Sequence, residues 1–306
     1  MGSRSRRSFL TLVTGGSAVG VAGCLGDNDA VSVLAAGSLS VILDDHIGRQ
    51  FEAETAVTYH GEYFGTNVIM RMIEDRQANP DVVVSADNVL LRDRLYGTHT
   101  EWDVEFAANS IGLAYAPDTE VGSRLAAGEP WYEILADVDD GEIAISDPDL
   151  DPLGYRAILA FRLAEAEHDL GGLADRLATG AYREPDEPQL LAGVETGNRA
   201  AAVAYRNMAA DHGLPFVEFP DAYNFSNPGY SEQYGRVSYT TDDGYTATGA
   251  PIVYNATVLN RADNPAFGHT FVRFLADAHT TLQDNGLSVN GFPTPHGAVP
   301  AEVLSK

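Results

Sequence analysis

The sequence has one cysteine, Cys24, and one lysine, Lys306, in 306 residues. A single cysteine excludes a disulfide bond within the chain and any metal site that needs several thiolates. Basic residues number 19 against 44 acidic residues, which gives a formal net charge of −25. Nucleic acids and anionic lipid surfaces bind proteins through basic surfaces, which this composition does not supply. We therefore expect no nucleic-acid partner.

The acidic residues are spread along the chain rather than gathered in one run. Aspartate and glutamate keep a protein surface hydrated where salt screens charge over a few ångström. We interpret the acidic excess as an adaptation to high salt, which makes the protein halophilic. An acidic patch that recruits cations is the alternative interpretation.

Signature motifs of several enzyme classes are also missing. The sequence has no GxSxG, HExxH or Walker A motif, and no GxGxxG follows a predicted strand. Trp102 and Trp131 are the only tryptophans, so no tryptophan cluster is available to stack against sugars. These absences favour a binding protein without a cofactor over an enzyme. A secreted hydrolase that uses Asp151 and Glu187 as an acid and base pair is the less favoured alternative.

The first 23 residues have the layout of an export signal rather than of a membrane-spanning helix. A basic start is followed by a modest apolar stretch and by small residues. The pair Arg6 and Arg7 resembles a twin-arginine signal, and "VAGC" resembles a lipobox in which Cys24 is lipidated. A free thiol is the alternative for Cys24. We expect a signal at 1–23, a tether at 24–30 and a lipid anchor at the extracellular face of the cytoplasmic membrane.

Predicted strands and helices alternate along the chain after the first 30 residues. Apolar runs such as "VSVLAAG" and "DVVVSA" are typical of buried strands, and apolar residues at helical spacing follow them. This alternation predicts an α/β fold of two lobes, each a mostly parallel sheet flanked by helices. The stretches 106–119 and 250–259 are predicted as long strands that pass between the lobes. Lobe 1 is then residues 31–110 and 256–306, and lobe 2 is residues 111–255.

Each of the first three predicted strands ends at a hydroxyl-bearing residue where a helix begins. The ends of parallel strands meet at one edge of a sheet, where ligands bind beside helix N-termini. We expect the hydroxyls to lie at N-cap positions and the glycines to let the backbone approach a ligand closely. Ordinary capping would explain any one junction, but three at one edge favour an anion site. The residues are Gly37 and Ser38, Gly65 and Thr66, and Ser85 and Ala86.

Several segments occur in the order found in a known family, among them "AGSL", "DVVVSAD", "FAANSIGLAY", "SDPDLDPLGYRA", "LLAGVETG", "AVAYRNMA" and "PIVY". They resemble the substrate-binding proteins of archaeal tungstate and molybdate ABC transporters, over about residues 31 to 300. The resemblance implies a periplasmic-binding-protein type II fold and a tungstate or molybdate ligand. It also implies a membrane permease as partner, and we expect a monomer. A binding protein for sulfate or phosphate is the alternative with the same fold.

The resemblance implies the residues of the site as well. Asp151 and Glu187 correspond to the carboxylates that bind the metal of the oxyanion. The segment around Glu187 departs from the family pattern, which leaves Glu184 and Glu195 as alternatives for the second carboxylate. Thr66 replaces a serine of the family and keeps the hydroxyl. The residues implied as donors to the oxyanion are the hydroxyl-bearing Ser38, Thr66, Ser85 and Tyr205, and Leu39 and Ala86 through their backbone N–H groups.

The two carboxylates are the unusual part of this set. Two negative groups near a dianion repel it by several kcal/mol at short range. They are compatible with an oxyanion only if they bond to its central atom, and hexavalent molybdenum or tungsten can expand from four to six oxygen ligands. Sulfate and phosphate cannot expand in this way. Arg156 could offset the charge, although a solvated position on its helix is the more ordinary interpretation.

Overall fold

The computed structural model of the protein describes residues 29–304. The expected export signal and Cys24 lie outside the described residues, as does most of the expected tether. The described residues form thirteen strands: β1 (Ala30–Ala36), β2 (Thr58–Phe64), β3 (Val82–Ser85), β4 (Trp102–Ala108), β5 (Ile111–Tyr115), β6 (Ile143–Ser146), β7 (Tyr182–Glu184), β8 (Ala201–Tyr205), β9 (Phe216–Glu218), β10 (Ser238–Thr240), β11 (Thr246–Thr248), β12 (Val253–Val258) and β13 (Thr294–Gly297).

The same residues form thirteen α-helices: α1 (Gly48–Thr55), α2 (Thr66–Glu74), α3 (Asn88–Leu95), α4 (Glu120–Ala126), α5 (Trp131–Leu135), α6 (Pro152–His168), α7 (Leu173–Gly180), α8 (Ala192–Glu195), α9 (Arg206–Asp211), α10 (Ser231–Tyr234), α11 (Pro265–Asp277), α12 (His279–Asp284) and α13 (Ala301–Leu304). A π-helical segment leads into α1, and three short 3-10 helices occur at Gly37–Leu39, Glu187–Gln189 and Pro228–Tyr230. No helix within residues 29–304 is long and apolar enough to cross a membrane.

The strands form two large sheets, which we call sheet I and sheet II. Sheet I has the order β13-β4-β12-β3-β1-β2, and sheet II has the order β7-β6-β8-β5-β9. In sheet I, β1 is parallel to β2 and β3, and β12 is antiparallel to β3 and to β4, so that four of the six strands run in one direction. In sheet II only β5 opposes the other four strands. The predicted α/β class, with two sheets flanked by helices, is confirmed. The sheets are mixed rather than mostly parallel when neighbouring pairs are compared: sheet I has two parallel and three antiparallel pairs, and sheet II has two of each.

The chain passes from sheet I to sheet II between β4 and β5. The prediction of one long strand over 106–119 is wrong, because Asn109 and Ser110 interrupt it and each half pairs in a different sheet. Both halves are almost entirely buried, so the apolar pattern does not show where the pairing partner changes. The chain returns to sheet I in β12, which spans the expected lobe boundary between residues 255 and 256. The lobe boundaries themselves stay a prediction.

Packing follows from the apolar faces of these elements. One core cluster extends through both sheets, and a smaller one lies between sheet I and the helices α2 and α3. Leu34, Ile69 and Leu90 are completely or almost completely buried in the smaller cluster. Helix α6 is buried along most of its length and begins with Pro152, whose fixed φ suits a first helical turn. A separate two-stranded hairpin, β10 with β11, lies outside both sheets.

Candidate functional site

The three hydroxyl-bearing junctions lie at one edge of sheet I. Strands β1, β2 and β3 are adjacent and parallel, so their carboxyl ends point the same way. Ser38, Thr66 and Ser85 are all buried at that edge. The junctions after β2 and β3 are in direct contact, because the backbone N–H of Ala86 donates to Thr66 Oγ1 at 3.2 Å. Leu39 follows Ser38 in the short helix Gly37–Leu39, and it is buried.

The expectation that these hydroxyls cap helices is wrong. The N-cap of α2 is Gly65, and Ala36 holds the equivalent position of the Gly37–Leu39 turn, in both cases without a side-chain capping bond. Helix α3 is capped by Asp87, whose Oδ1 accepts from two backbone N–H groups at 3.0 Å. Ser85 instead bonds the backbone of Asp87. Capping therefore does not occupy the hydroxyls of Ser38 and Thr66.

Sheet II supplies two carboxylates that face the same edge. Asp151 lies at the N-cap position of α6 but makes no capping bond, and Glu187 lies in the 3-10 turn after β7. Both side chains are 1% exposed, and none of their four oxygens makes a hydrogen bond of ordinary geometry among residues 29–304, although Ser146 and the Leu153 N–H lie near Asp151 and Ser38 lies near Glu187. A Cβ atom added to Gly65 would lie 2.9 Å from Asp151 Cβ, and one added to Gly37 would lie 2.9 Å from Glu187 Oε2. The absence of side chains at these glycines lets the carboxylates approach the junctions.

Burial dominates the electrostatics of this carboxylate pair. Burial raises the pKa of Asp151 to about 6, while the hydroxyl of Ser146 and the positive charge of Arg156 oppose the rise. The pKa of Glu187 is also raised, first by burial and then by the negative charge of Asp151, and nearby Ser38 partly offsets this. Two adjacent buried carboxylates without well-formed hydrogen bonds are unfavourable unless a proton or an electropositive atom neutralises them.

The structure separates the three candidates for the second carboxylate. Glu184 is half-buried at the end of β7, and its side chain accepts from the N–H of Asp186. Glu195 is exposed and pairs with His212 at 2.7 Å. Of the three, Glu187 is the one that lies beside Asp151.

Arg156 is buried, which makes the interpretation of a solvated helix position wrong. Its Nη1 donates to the carbonyl of Ala86 at 2.9 Å and to the hydroxyl of Tyr205 at 2.6 Å, and its Nη2 pairs with Asp87 Oδ2 at 2.8 Å. Both faces of α6 are buried here, so sequence periodicity shows no outward face. Tyr205 accepts from Arg156 and so keeps its own hydroxyl hydrogen free to donate.

Three polar residues of the site were not identified from the sequence. Asn109 donates to Asn207 Oδ1 at 2.7 Å and to the hydroxyl of Tyr254 at 3.2 Å. The Tyr254 hydroxyl is 3.2 Å from Ser38 Oγ, and Asn207 donates to the Ser38 carbonyl at 2.6 Å. All three are buried. An asparagine within the largely apolar run "FAANSIGLAY" is the signal that would have identified Asn109.

The combined site is polar and buried, and it lies where residues of sheet I meet residues of sheet II. It contains hydroxyl and amide donors, one buried guanidinium and two carboxylates that no well-formed hydrogen bond satisfies. No group of three or more His, Cys, Asp and Glu side chains in the described part of the chain could hold a metal ion. These features define an α/β protein with two sheets and a buried polar site between them, an arrangement typical of binding proteins.

The comparisons assign the family. The chain belongs to the bacterial extracellular solute-binding protein family, whose model matches residues 31–288. An uncharacterized solute-binding protein of Halobacterium salinarum is 50% identical over 97% of this chain and 96% of its own. A Haloferax volcanii protein provisionally named an ABC transporter molybdenum-binding protein is 38% identical over 98% and 97%. The molybdate/tungstate-binding protein WtpA of Thermococcus kodakarensis is 29% identical over 89% and 85%.

Solved structures agree on the fold. The periplasmic molybdate-binding protein of Azotobacter vinelandii superposes with a TM-score of 0.61 at 18% identity, over 84% of this chain and 98% of that one. The resemblance to archaeal molybdate- and tungstate-binding proteins that the sequence motifs indicated is confirmed.

Proposed function

We propose that this protein captures tungstate or molybdate between its two lobes and delivers the oxyanion to the permease of an ABC importer. The observation that carries the proposal is the pair of buried, adjacent carboxylates, Asp151 and Glu187, which no well-formed hydrogen bond or ion pair among the described residues satisfies. Glu187 lies beside Ser38 and the Gly37 junction, and Asp151 lies beside the Gly65 junction. The names of the archaeal relatives point to the same ligands.

The carboxylates distinguish a metal oxyanion from other dianions. Hydroxyl and N–H donors suit any tetrahedral oxyanion, and hydrogen bonds to a charged group contribute about 1.5–3 kcal/mol each. Two carboxylates would repel sulfate, since sulfur cannot accept further oxygen ligands. Tungsten and molybdenum in the +6 state can accept them and so convert the repulsion into two bonds. The donors in this proposal are Ser38, Leu39, Thr66, Ser85, Ala86 and Tyr205.

The Thr66 hydroxyl and the Ala86 N–H bond each other in the ligand-free site. A bound oxyanion would replace that bond, so both groups can turn to the ligand without leaving a buried polar group unpaired. Arg156 donates to the hydroxyl of Tyr205, and its positive charge lowers the net negative charge of the site.

The cellular setting is part of the same proposal. The protein would be exported, lipidated at Cys24 and held as a monomer at the extracellular face of the cytoplasmic membrane. It would act by binding and release without catalysing a reaction. Closure of the lobes over the ligand would provide the state that the permease recognises.

Calorimetric titration tests the ligand. We expect tungstate and molybdate to bind tightly and sulfate and phosphate to bind at least about a hundredfold more weakly, which corresponds to about 2.7 kcal/mol. Asp151→Asn should remove this preference, while the matched variant Glu184→Gln, outside the site, should keep it. Equal affinity of the wild-type protein for sulfate and tungstate would contradict the proposal. Tungsten or molybdenum bound to protein from native cells, detected by elemental analysis, would support it independently.

A further inference from the structure

The β10–β11 hairpin connects the two sides of the binding cleft, although it belongs to neither sheet. It is anchored on the sheet II side. The carbonyl of Ser238 in β10 accepts from Arg162 of α6. The hydroxyl of Tyr239 and the backbone N–H of Asp242 both donate to Asp149 Oδ1, at 3.1 and 3.0 Å. Asp149 lies two residues before Asp151, in the same loop.

The tip of the hairpin reaches the helices that pack on sheet I. Asp243 Oδ2 lies 3.1 Å from Arg94 Nη1 of α3 and 3.7 Å from Arg71 Nη1 of α2. The Tyr245 hydroxyl donates to Asp93 at 3.3 Å, and its ring packs against the apolar cluster between sheet I, α2 and α3. The hairpin therefore bonds the loop that carries Asp151 on one side and two helices of sheet I on the other.

The charges of this bridge persist at neutral pH. Bonds from Thr241, Arg94 and the Tyr245 N–H outweigh burial and lower the pKa of Asp243. The facing groups on the other elements are Arg71, Arg94 and Glu74, and Glu74 is paired with Arg94. All these side chains are partly exposed, so each pair contributes modestly. A weak bond suits a contact that must break each time the cleft opens.

We propose that the β10–β11 hairpin is a clasp that holds the cleft closed over the bound oxyanion and positions the loop carrying Asp151. This inference rests on the proposed function, because closure has a use only when a ligand is held. Asp243 bonds the hairpin to the helices of the sheet I side, and Tyr239 positions the loop that carries Asp151. Neither residue needs to touch the ligand.

Arg94 offers a matched pair of variants that tests the clasp. Arg94 pairs with Asp243 of the hairpin, across the cleft, and with Glu74 of α2, on its own side. Asp243→Asn therefore removes only the Arg94 ion pair that crosses the cleft, and Glu74→Gln removes only the one that does not. We expect Asp243→Asn to raise the dissociation rate of tungstate, measured by stopped flow, by about threefold to tenfold with little change in the association rate. Glu74→Gln should lower the melting temperature and leave the dissociation rate within about twofold of the wild-type value.

An unchanged dissociation rate in Asp243→Asn would overturn the proposal, and so would an equal rise in both variants. If Asp243→Asn does not fold, Tyr239→Phe replaces it and should also release tungstate faster; an unchanged rate would again overturn the clasp. A wild-type protein that binds neither tungstate nor molybdate would contradict the proposed function instead. In that case small-angle scattering of the ligand-free proteins decides: a larger radius of gyration for Asp243→Asn than for Glu74→Gln supports the clasp, and equal radii overturn it.

Discussion

At the scale of single residues, the carboxylate of Glu187 is unfavourable for the ligand-free protein. It is 1% exposed, makes no well-formed hydrogen bond among the described residues and lies beside Asp151. Glu187→Gln keeps the shape and removes the charge. We expect the ligand-free variant to melt about 2–6 °C higher than the wild-type protein, because burying a carboxyl beside Asp151 opposes folding whether it stays charged or must take up a proton. Thermal melting checks this, and Glu184→Gln, whose carboxylate is half-buried and hydrogen-bonded, should melt as the wild-type protein does.

Asp151 predicts a dependence of stability on pH. Its pKa is raised to about 6 in the folded protein, from an ordinary value of about 3.9. Between these values the folded state binds more protons than the unfolded state, so the residue's contribution to the free energy of unfolding falls as pH rises. The asparagine in Asp151→Asn does not titrate, so the variant lacks this dependence on pH. The difference in melting temperature between the variant and the wild-type protein, measured without ligand, should therefore widen from about pH 4 to about pH 6. A constant difference would contradict the shift.

The residues of the site differ in how far the sequence could predict them. The family resemblance points to Asp151 through a distinctive motif and to Glu187 only together with Glu184 and Glu195, because spacing does not fix which glutamate turns inward. For Arg156 the sequence favours a solvated helix position over a role in balancing the charge of the site, since its partners Ala86 and Asp87 come from another part of the chain. Contacts between distant segments are determined by how the lobes pack, and a helix pattern carries no information about them.

At the scale of elements, the start of α2 depends on Gly65. A Cβ atom there would lie 2.4 Å from the Leu150 carbonyl oxygen, so Gly65→Ala must push the loop carrying Asp151 away from α2. We expect tungstate affinity to fall by at least about tenfold, because a displacement near 1 Å disrupts positioned ligands. Gly171→Ala is the matched control, since no atom lies within 4 Å of a Cβ at that position. Titration of both variants checks the prediction, which an unchanged affinity in Gly65→Ala would contradict.

Asp87 joins two elements through its two carboxylate oxygens. Oδ1 caps α3, while Oδ2 pairs with Arg156 and accepts from the hydroxyl of Tyr155, both on α6. Asp87→Asn retains a capping oxygen and loses the charge. We expect tungstate affinity to fall by about tenfold to a hundredfold, because the buried guanidinium of Arg156 loses its ionic partner in the closed state.

A control for this variant lies within sheet I and its helices. Asp103 on β4 is fully buried and pairs with Arg92 on α3 at 2.8 Å. Asp103→Asn should lower the melting temperature and leave tungstate affinity nearly unchanged, since its ion pair does not cross the cleft. Equal losses of affinity in the two variants, measured by calorimetry, would show that Asp87 acts through stability alone.

At the scale of the whole molecule, the α/β class followed from the alternation of apolar runs. The break between β4 and β5 did not, because both strands are buried and read as one run. The β10–β11 hairpin was also beyond sequence reasoning, since two three-residue strands lie below the length at which alternation can be recognised. Sequence patterns predicted the two sheets and their flanking helices. The contacts that bridge the lobes depend on single polar residues such as Asp243, which such patterns do not reveal.

The net charge of −25 predicts how the complete molecule responds to salt. Like charges spread over one surface repel each other and destabilise the compact state. The screening length falls from about 10 Å at 0.1 M salt to about 3 Å at 1 M, so added KCl removes most of the long-range repulsion but little of the attraction within short ion pairs such as that of Arg94 with Glu74. We expect the melting temperature of the ligand-free protein to rise steeply between about 0.1 and 1 M KCl and more slowly above it. A melting temperature that is flat or falls over this range would show that the acidic excess does not limit stability.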